Sequence, residues 1–187
     1  SLTVSGVYAQ VSGNFVNLNT LTLDTVDYSG LLANASVSIN NVDAGVTVTS
    51  IAGTTLTLSG PVTAVDNSVI SFGFGDTTTV STNRVVVSDA DSVNAGILIN
   101  GINGVAGANA IAVVDSTMNT IELDQAASVV SNAEVTLTAF LLQRDGQVLE
   151  AGNDYFFQYN TNTNQVVFAA ASTFGLGDYE LQVAPTV

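Results

Sequence analysis

Apolar and hydroxyl side chains alternate along most of this sequence, and that alternation constrains the fold more than any other feature. It is clearest in residues 46–51, 54–58 and 134–140, where Val or Leu alternates with Thr or Glu over four or five consecutive positions of each run. Successive side chains of a β-strand point to opposite faces, so one face becomes apolar. Gly, Asn and Asp interrupt the runs about every 8–12 residues, as in a sandwich. We therefore predict an all-β fold of antiparallel β-sandwich modules, Ig-like or jelly-roll-like, with little or no helix.

A short motif indicates an internal repeat. Residues 19–24, 54–59 and 119–124 all read Asn or Thr, Thr, Leu or Ile, a polar residue, Leu, then Asp or Ser. The second and third copies also share their surroundings, with a Val- or Ile-rich strand before them and a strand ending in Phe after them. Two explanations are open at this point: duplication of a small β module, or the chance similarity of Thr- and Leu-rich hairpins.

A change in composition divides the chain. Residues 73–83 contain turn-forming residues and no second apolar face, which marks a boundary between modules. Most of the aromatic residues fall after residue 139, so we expect the best-packed core at that end. We predict an N-terminal β module over residues 1–78 and a C-terminal β-sandwich module over residues 79–187, whose last part, residues 140–187, is a meander.

The expected meander begins with a hairpin. Asp145-Gly146 is a pair suited to the positive φ angles of a type I′ turn, and apolar residues flank it on both sides. Further strands are predicted at residues 155–159, 165–169 and 179–183, separated by runs of Asn, Thr, Gly and Asp.

Missing residue types exclude several functions. The net charge of −14 reflects scarce bases, since the sequence has no Lys and only Arg84 and Arg144. Two arginines cannot neutralise a nucleic-acid backbone. Without His, Cys and Lys, the chain lacks the commonest catalytic and metal-binding side chains. The uncharged stretches 44–65 and 92–114 alternate like strands or contain many Asn and Gly, so neither predicts a membrane span. We therefore expect no enzyme, no nucleic-acid binding and no membrane insertion.

Two sets of side chains are candidates for binding. Asp89, Asp91 and Asn94 place three oxygen-bearing side chains close together, as hard cations prefer, and are a candidate Ca²⁺ site. The alternative is an ordinary turn, because the Gly and distal Glu of an EF-hand are missing. Tyr155 and Tyr159 lie on one strand face and are candidates for an exposed contact patch, for example for a carbohydrate receptor; the alternative is that they belong to the core. No catalytic residue and no other cofactor is expected.

The order of the C-terminal segments resembles a module of tail-fibre and other virion structural proteins of tailed bacteriophages. The segments are Arg-Asp-Gly-Gln-Val-Leu at 144–149, Gly-Asn-Asp-Tyr at 152–155, Val-Val-Phe at 166–168 and Gly-Asp-Tyr at 177–179. Residues 49–58 are similar to filler β modules of such proteins, including those of marine phages. Bacterial adhesin and surface-layer repeats use similar hairpins. The resemblance implies a virion role.

Three functions are compatible with these observations. The first is a non-catalytic structural protein of a tailed-phage virion, a fibre, tail or capsid-decorating subunit whose partners are copies of itself and other virion proteins. The second is an extracellular bacterial or archaeal surface protein, such as an adhesin module, a surface-layer piece or a filament subunit that assembles by strand donation. Residues 1–10 and 179–187 are the candidate donor strands, since both carry apolar residues at chain ends. The third is a carbohydrate-binding domain that uses Tyr155 or Tyr159.

Overall fold

The computed structural model describes residues 2–25, 34–73, 79–91, 93–100, 109–138, 140–149, 153–163 and 165–183. These residues form strands, turns and bends and no helix, which confirms the predicted all-β class. The strands are β1 (Leu2–Gln10), β2 (Phe15–Thr22), β3 (Ser36–Ile39), β4 (Val42–Ala52), β5 (Thr55–Ala64), β6 (Val69–Gly73), β7 (Thr79–Val87), β8 (Leu98–Asn100), β9 (Asn109–Asp115), β10 (Thr120–Val130), β11 (Glu134–Thr138), β12 (Phe140–Arg144), β13 (Gln147–Val148), β14 (Tyr155–Asn160), β15 (Gln165–Ala170) and β16 (Tyr179–Val183).

The alternating pattern gives most strands one buried face. In β5, Leu56 and Leu58 are buried, while Thr55 and Thr57 are more exposed. Strand β1 departs from this pattern, because every residue from Gly6 to Ala9 is buried. This part of β1 is therefore covered on both faces by the rest of the structure.

Eleven strands form one antiparallel sheet in the order β11-β8-β9-β10-β7-β1-β6-β3-β4-β5-β2. Both ends of this sheet return to β1. At one end β11 pairs with the start of β1, with Val135 opposite Leu2. At the other end, Leu23 just after β2 bridges to Val11 just after β1. Strand β1 therefore closes two rings of strands: its first half completes the ring of β7 to β11, and its second half completes the ring of β2 to β6.

The two rings repeat one fold. Strands β2 to β6 pair with each other in the same order as β7 to β11, so β2 is equivalent to β7 and β6 to β11. Their irregularities coincide as well. Residues 58–61 of β5 bulge opposite the single residue Asn19, and residues 123–126 of β10 bulge opposite the single residue Asn83. Bulges are specific features that related proteins keep, whereas regular strands are interchangeable. The shared bulges favour duplication over chance similarity.

The structure also corrects the alignment of the repeat. Residues 54–73 match residues 119–138 without a gap, so the partner of Phe72 is Leu137 and not Phe140. These two residues have equivalent positions, with Phe72 opposite Val37 and Leu137 opposite Ile99. The first motif copy, residues 19–24, belongs to β2 and matches part of β7 rather than β5.

A single apolar core runs through both rings. It contains side chains from every strand of both rings, and β1 contributes Val4, Val7 and Ala9. Its largest fully buried members include Phe72, Leu56 and Ile121. Because one core and one strand serve both rings, the predicted boundary near residue 78 separates strands that are still packed together. Strand β7 begins at Thr79, and the boundary itself stays a prediction.

The described residues between 140 and 183 include two small sheets, and we call this part of the chain the C-terminal unit. Strand β12 lies between β13 and β16, and β14 pairs with β15. The Phe140 ring lies 6.0 Å from the rings of both Phe157 and Phe168, so the β14–β15 hairpin packs on β12. On another side of the unit, Leu141 packs against Leu98 of β8, which joins the unit to the large sheet.

The predicted Asp-Gly hairpin is confirmed, with φ angles of 51° at Asp145 and 77° at Gly146. The strands that follow lie where they were predicted, but they do not form the predicted meander, because β16 pairs with β12 instead of β15. Glycine permits this return: a Cβ on Gly177 would lie 2.9 Å from Arg144 Cγ. A larger residue there would push β16 away from β12.

Candidate functional site

The proposed Ca²⁺ ligands lie in two exposed turns after β7. Asp89 Oδ1 accepts a hydrogen bond from the backbone N–H of Asp91 at 3.0 Å, the usual role of Asp in a loop. The backbone C=O of Asn94 accepts one from the N–H of Ile97 at 3.4 Å. Among the described residues, no three or more Asp, Glu, His or Cys side chains are grouped so that they could hold a metal ion. These turns favour ordinary loop roles for Asp89, Asp91 and Asn94 over a Ca²⁺ site.

The structure places Tyr155 in the core of the C-terminal unit rather than in an exposed patch. Its side chain is 4% exposed, and its ring lies 5.7 Å from the ring of Phe168. Burial raises the pKa of Tyr155, because the phenolate would lose its hydration. A covered ring cannot stack on a ligand. The side chain of Tyr159 lies outside the described residues. The exposed rings on β14 are instead those of Phe156 and Phe157.

The most organised charged cluster surrounds Arg84 on β7. Its Nη1 lies 2.6 Å from Asp24 Oδ2, and its guanidinium carbon lies 5.7 Å from the centre of the Tyr8 ring. Asn83 Nδ2 donates to Glu122 Oε1 at 3.0 Å beside it. Burial and the Glu122 carboxylate raise the pKa of Tyr8, and the Arg84 charge partly opposes them. With its charge neutralised by Asp24, Arg84 ties the end of the first ring to the second.

A groove of about 420 Å³ opens where β1 passes between the two rings. Hydroxyl and amide side chains dominate its lining, and none of them is an acid or a base near neutral pH. It can therefore offer hydrogen bonds, but the proton transfers of general acid–base catalysis need other groups. The lining residues are Ser5, Gly6, Ser36, Ser38, Asn41, Ser71, Phe72, Gly73, Val86, Val87, Ser88 and Asn119.

The feature that most clearly points outward is strand β16. Tyr179, Leu181 and Val183 take alternate positions along it, are 39%, 46% and 52% exposed, and form what we call the β16 stripe. Alternate side chains of a strand share one face, so these three lie side by side. The Phe174 ring extends the apolar surface, since it meets the Tyr179 ring edge-on at 5.5 Å.

The backbone of β16 is also open along one edge. Leu149 N–H donates to Leu142 C=O at 2.8 Å, so the backbone groups of Leu142 point towards β13 and away from β16. Asp145 N–H donates to Asp178 C=O at 2.9 Å, so Asp178 points towards β12. Backbone groups of an antiparallel strand alternate in direction. The N–H and C=O groups of the β16 stripe therefore point away from β12, and β12 is the single strand that pairs with β16 within the described part of the chain.

The two candidate donor segments thus differ. Residues 179–187 include β16, whose outer edge pairs with no other strand of the described part of the chain, whereas β1, which contains most of residues 1–10, pairs on both sides within its own chain. Sequence alternation identified the apolar residues of both segments. It could not show that one is enclosed and the other is not, because that depends on strands distant in the sequence.

Comparison with known proteins leaves the candidate site to be judged from its geometry. No family model, curated protein or solved structure matches this chain. In the ranges that the structure describes, there is no helix of the length and apolar character needed to cross a membrane. The open, apolar edge of β16 is therefore the feature from which a function can be argued.

Proposed function

We propose that this chain is a non-catalytic structural subunit of a tailed-phage virion, a fibre, tail or capsid-decorating protein that acts by associating with copies of itself. The observation that carries the proposal is the contrast between the eleven-stranded sheet, whose end strands return to β1, and β16, which keeps an open apolar edge. Proteins normally cover such edges or protect them with charged residues, because they pair readily with other chains. An open apolar edge beside a sheet whose end strands both meet β1 is a place for assembly.

The phage setting is supported by the resemblance of the C-terminal segments to virion modules. Those segments build the elements around the open edge: residues 144–149 form the β12–β13 turn, and residues 177–179 lead into β16. The part of the chain that resembles virion proteins is therefore also the part that offers a surface for association.

A cell-surface filament subunit is the second candidate. The same open edge supports it, since filaments that grow by strand addition need a free edge on each subunit. In this candidate β16 is the segment that pairs, because β1 is already enclosed by strands of its own chain.

Localisation in the source culture tests these two proposals. Antibodies raised against the purified chain would be applied with gold labels to virus particles and to cell envelopes of that culture, with antibody absorbed on the purified chain as the control. We expect label on tails, fibres or capsids of the particles. Label confined to cell envelopes or filaments would reject the virion proposal in favour of the second candidate, and label on neither would reject both.

Mass measurement tests self-association directly. Size-exclusion chromatography with light scattering would be run on the purified chain over a range of concentrations. We expect a species heavier than the 19.1 kDa chain. A monomer at every concentration would contradict the proposal that the chain acts by self-association.

A further inference from the structure

We propose that two copies of this chain join edge to edge through β16, antiparallel, about a two-fold axis that passes through Leu181. This inference rests on the proposed self-association and names the surface that carries it. The joined strands would make one continuous sheet in the order β13-β12-β16 followed by β16-β12-β13 of the second copy. A two-fold interface uses the same patch on both subunits, so the patch has to complement itself.

The backbone of β16 meets this condition. The outward N–H and C=O groups belong to the three residues of the β16 stripe, which are spaced symmetrically about Leu181. In the antiparallel arrangement Leu181 faces Leu181 of the second copy, and Tyr179 faces Val183. Residues that face each other with inward-pointing backbone groups exchange both N–H···O bonds. Every outward group of the stripe then gains a partner.

Side-chain pattern and charge select the same register. With Leu181 on the axis, the apolar residues of one stripe face those of the other, and Glu180 faces the uncharged Gln182. If the two-fold axis passed through Glu180 instead, the two Glu180 carboxylates would lie opposite each other. If it passed through Tyr179, Glu180 would lie opposite Asp178. Like charges directly opposite each other destabilise a strand pair. The register through Leu181 avoids repulsion between carboxylates, and it is the register in which all three residues of one stripe face residues of the other stripe.

The other strand edges of the C-terminal unit do not determine in this way how a second copy would pair with them. Strand β13 has two residues, Gln147 and Val148, which is too short an edge to hold a partner. The hairpin strands β14 and β15 contain no charged residue, so no repulsion fixes their register. Because the chain carries a net charge of −14, two copies repel each other unless their contact keeps carboxylates apart. The β16 edge keeps them apart in the register through Leu181.

A single engineered cysteine tests the register, since the sequence contains no cysteine that could interfere. Residues directly opposite in such a pair have Cα atoms about 5.5 Å apart, which lies within the range that a disulfide spans. We expect Leu181→Cys to form a disulfide-linked dimer under mild oxidation. Glu180→Cys is the matched control, because Glu180 is also exposed but faces Gln182, and we expect it to remain largely unlinked.

A pair of charge variants tests the surface independently of the disulfide. Leu181→Glu would place two carboxylates opposite each other at the axis, and we expect it to raise the dimer dissociation constant about tenfold or more. Val167→Glu is the control, since Val167 on β15 is 54% exposed in the same unit but lies away from β16. We expect it to leave the dissociation constant within about threefold of the parent value.

The outcomes separate the two proposals. A disulfide dimer of Leu181→Cys together with a weakened Leu181→Glu supports pairing through β16. The parent chain could associate while neither Leu181 variant shows its expected effect, or while Val167→Glu weakens the association instead. Either result overturns the β16 pairing and leaves self-association standing. A parent chain that stays monomeric overturns both.

Discussion

Asn67 and Asn132 occupy the same position in the two rings and bind the same strand. Both have positive φ angles, 64° and 60°. Asn67 donates its backbone N–H to the C=O of Val11 at 2.8 Å, and Asn132 donates to the C=O of Val4 at 2.8 Å. Val11 lies just after β1 and bridges to the first ring, whereas Val4 lies within β1 and pairs with the second ring. Two halves of one sequence thus hold opposite ends of a single strand with the same turn.

This equivalence predicts equal responses to mutation. Asn tolerates a positive φ angle better than other residues with a Cβ, so Asn67→Ala and Asn132→Ala should each lower the free energy of unfolding by about 1 kcal/mol. Asn67→Gly and Asn132→Gly serve as controls and should change it little, because Gly adopts this conformation freely. Chemical denaturation measures all four. A loss at one site without a comparable loss at the other would contradict the structural equivalence.

Gly6 should be the least replaceable residue of β1. A Cβ at this position would overlap the carbonyl oxygen of Phe72 on the neighbouring strand, so the two backbones could not stay in place. We expect Gly6→Ala to lower the free energy of unfolding by about 2–3 kcal/mol. Ser5→Ala is the control next to it on an exposed position, with an expected change within about 0.5 kcal/mol. Similar unfolding midpoints for the two variants would show that β1 and β6 can separate without cost.

Stability should fall at alkaline pH partly because of Tyr8. Burial and Glu122 raise the pKa of Tyr8 in the folded chain, so the unfolded chain releases the phenol proton first, near pH 10. Above about that pH the unfolded state binds fewer protons than the folded state, and the free energy of unfolding decreases as pH rises.

Thermal melts at pH values from about 8 to 11.5 measure this dependence. Tyr8→Phe should make the decline shallower, and Tyr155→Phe should do the same, since burial raises the pKa of Tyr155 as well. An equally steep decline in Tyr8→Phe would contradict a raised pKa at that residue.

Calcium should leave the melting temperature unchanged. Asp89 already uses a carboxylate oxygen to hold the turn to Asp91, and Asn94 lies in a separate turn. We expect the same Tm with millimolar Ca²⁺ and with a chelator. A rise in Tm on adding Ca²⁺ that Asp89→Asn and Asp91→Asn abolish would instead establish a cation site, since Asn keeps the turn but removes the charge.

Local sequence was enough to place most of the strands. Alternation located β4, β5, β10 and β11, and the Asp145-Gly146 pair located the β12–β13 turn with the predicted φ angles. These features depend on neighbours a few residues apart: side-chain direction repeats every two residues, and a turn is selected by the conformations that its own residues allow. The motif shared by residues 54–59 and 119–124 likewise pointed to β5 and β10 as equivalent strands.

Tertiary structure decided which strands meet. The sequence of β1 does not reveal that it closes two rings, that of β16 does not reveal that it returns to β12, and that of β14 does not reveal that Tyr155 is covered while Phe156 is exposed. Backbone hydrogen bonds are the same for every pair of strands, so pairing is chosen by burial and charge summed over segments far apart in the sequence. For the same reason the open edge of β16, on which the proposed assembly depends, follows from the pairing of strands that are distant in the sequence, and the residues of β16 do not determine it alone.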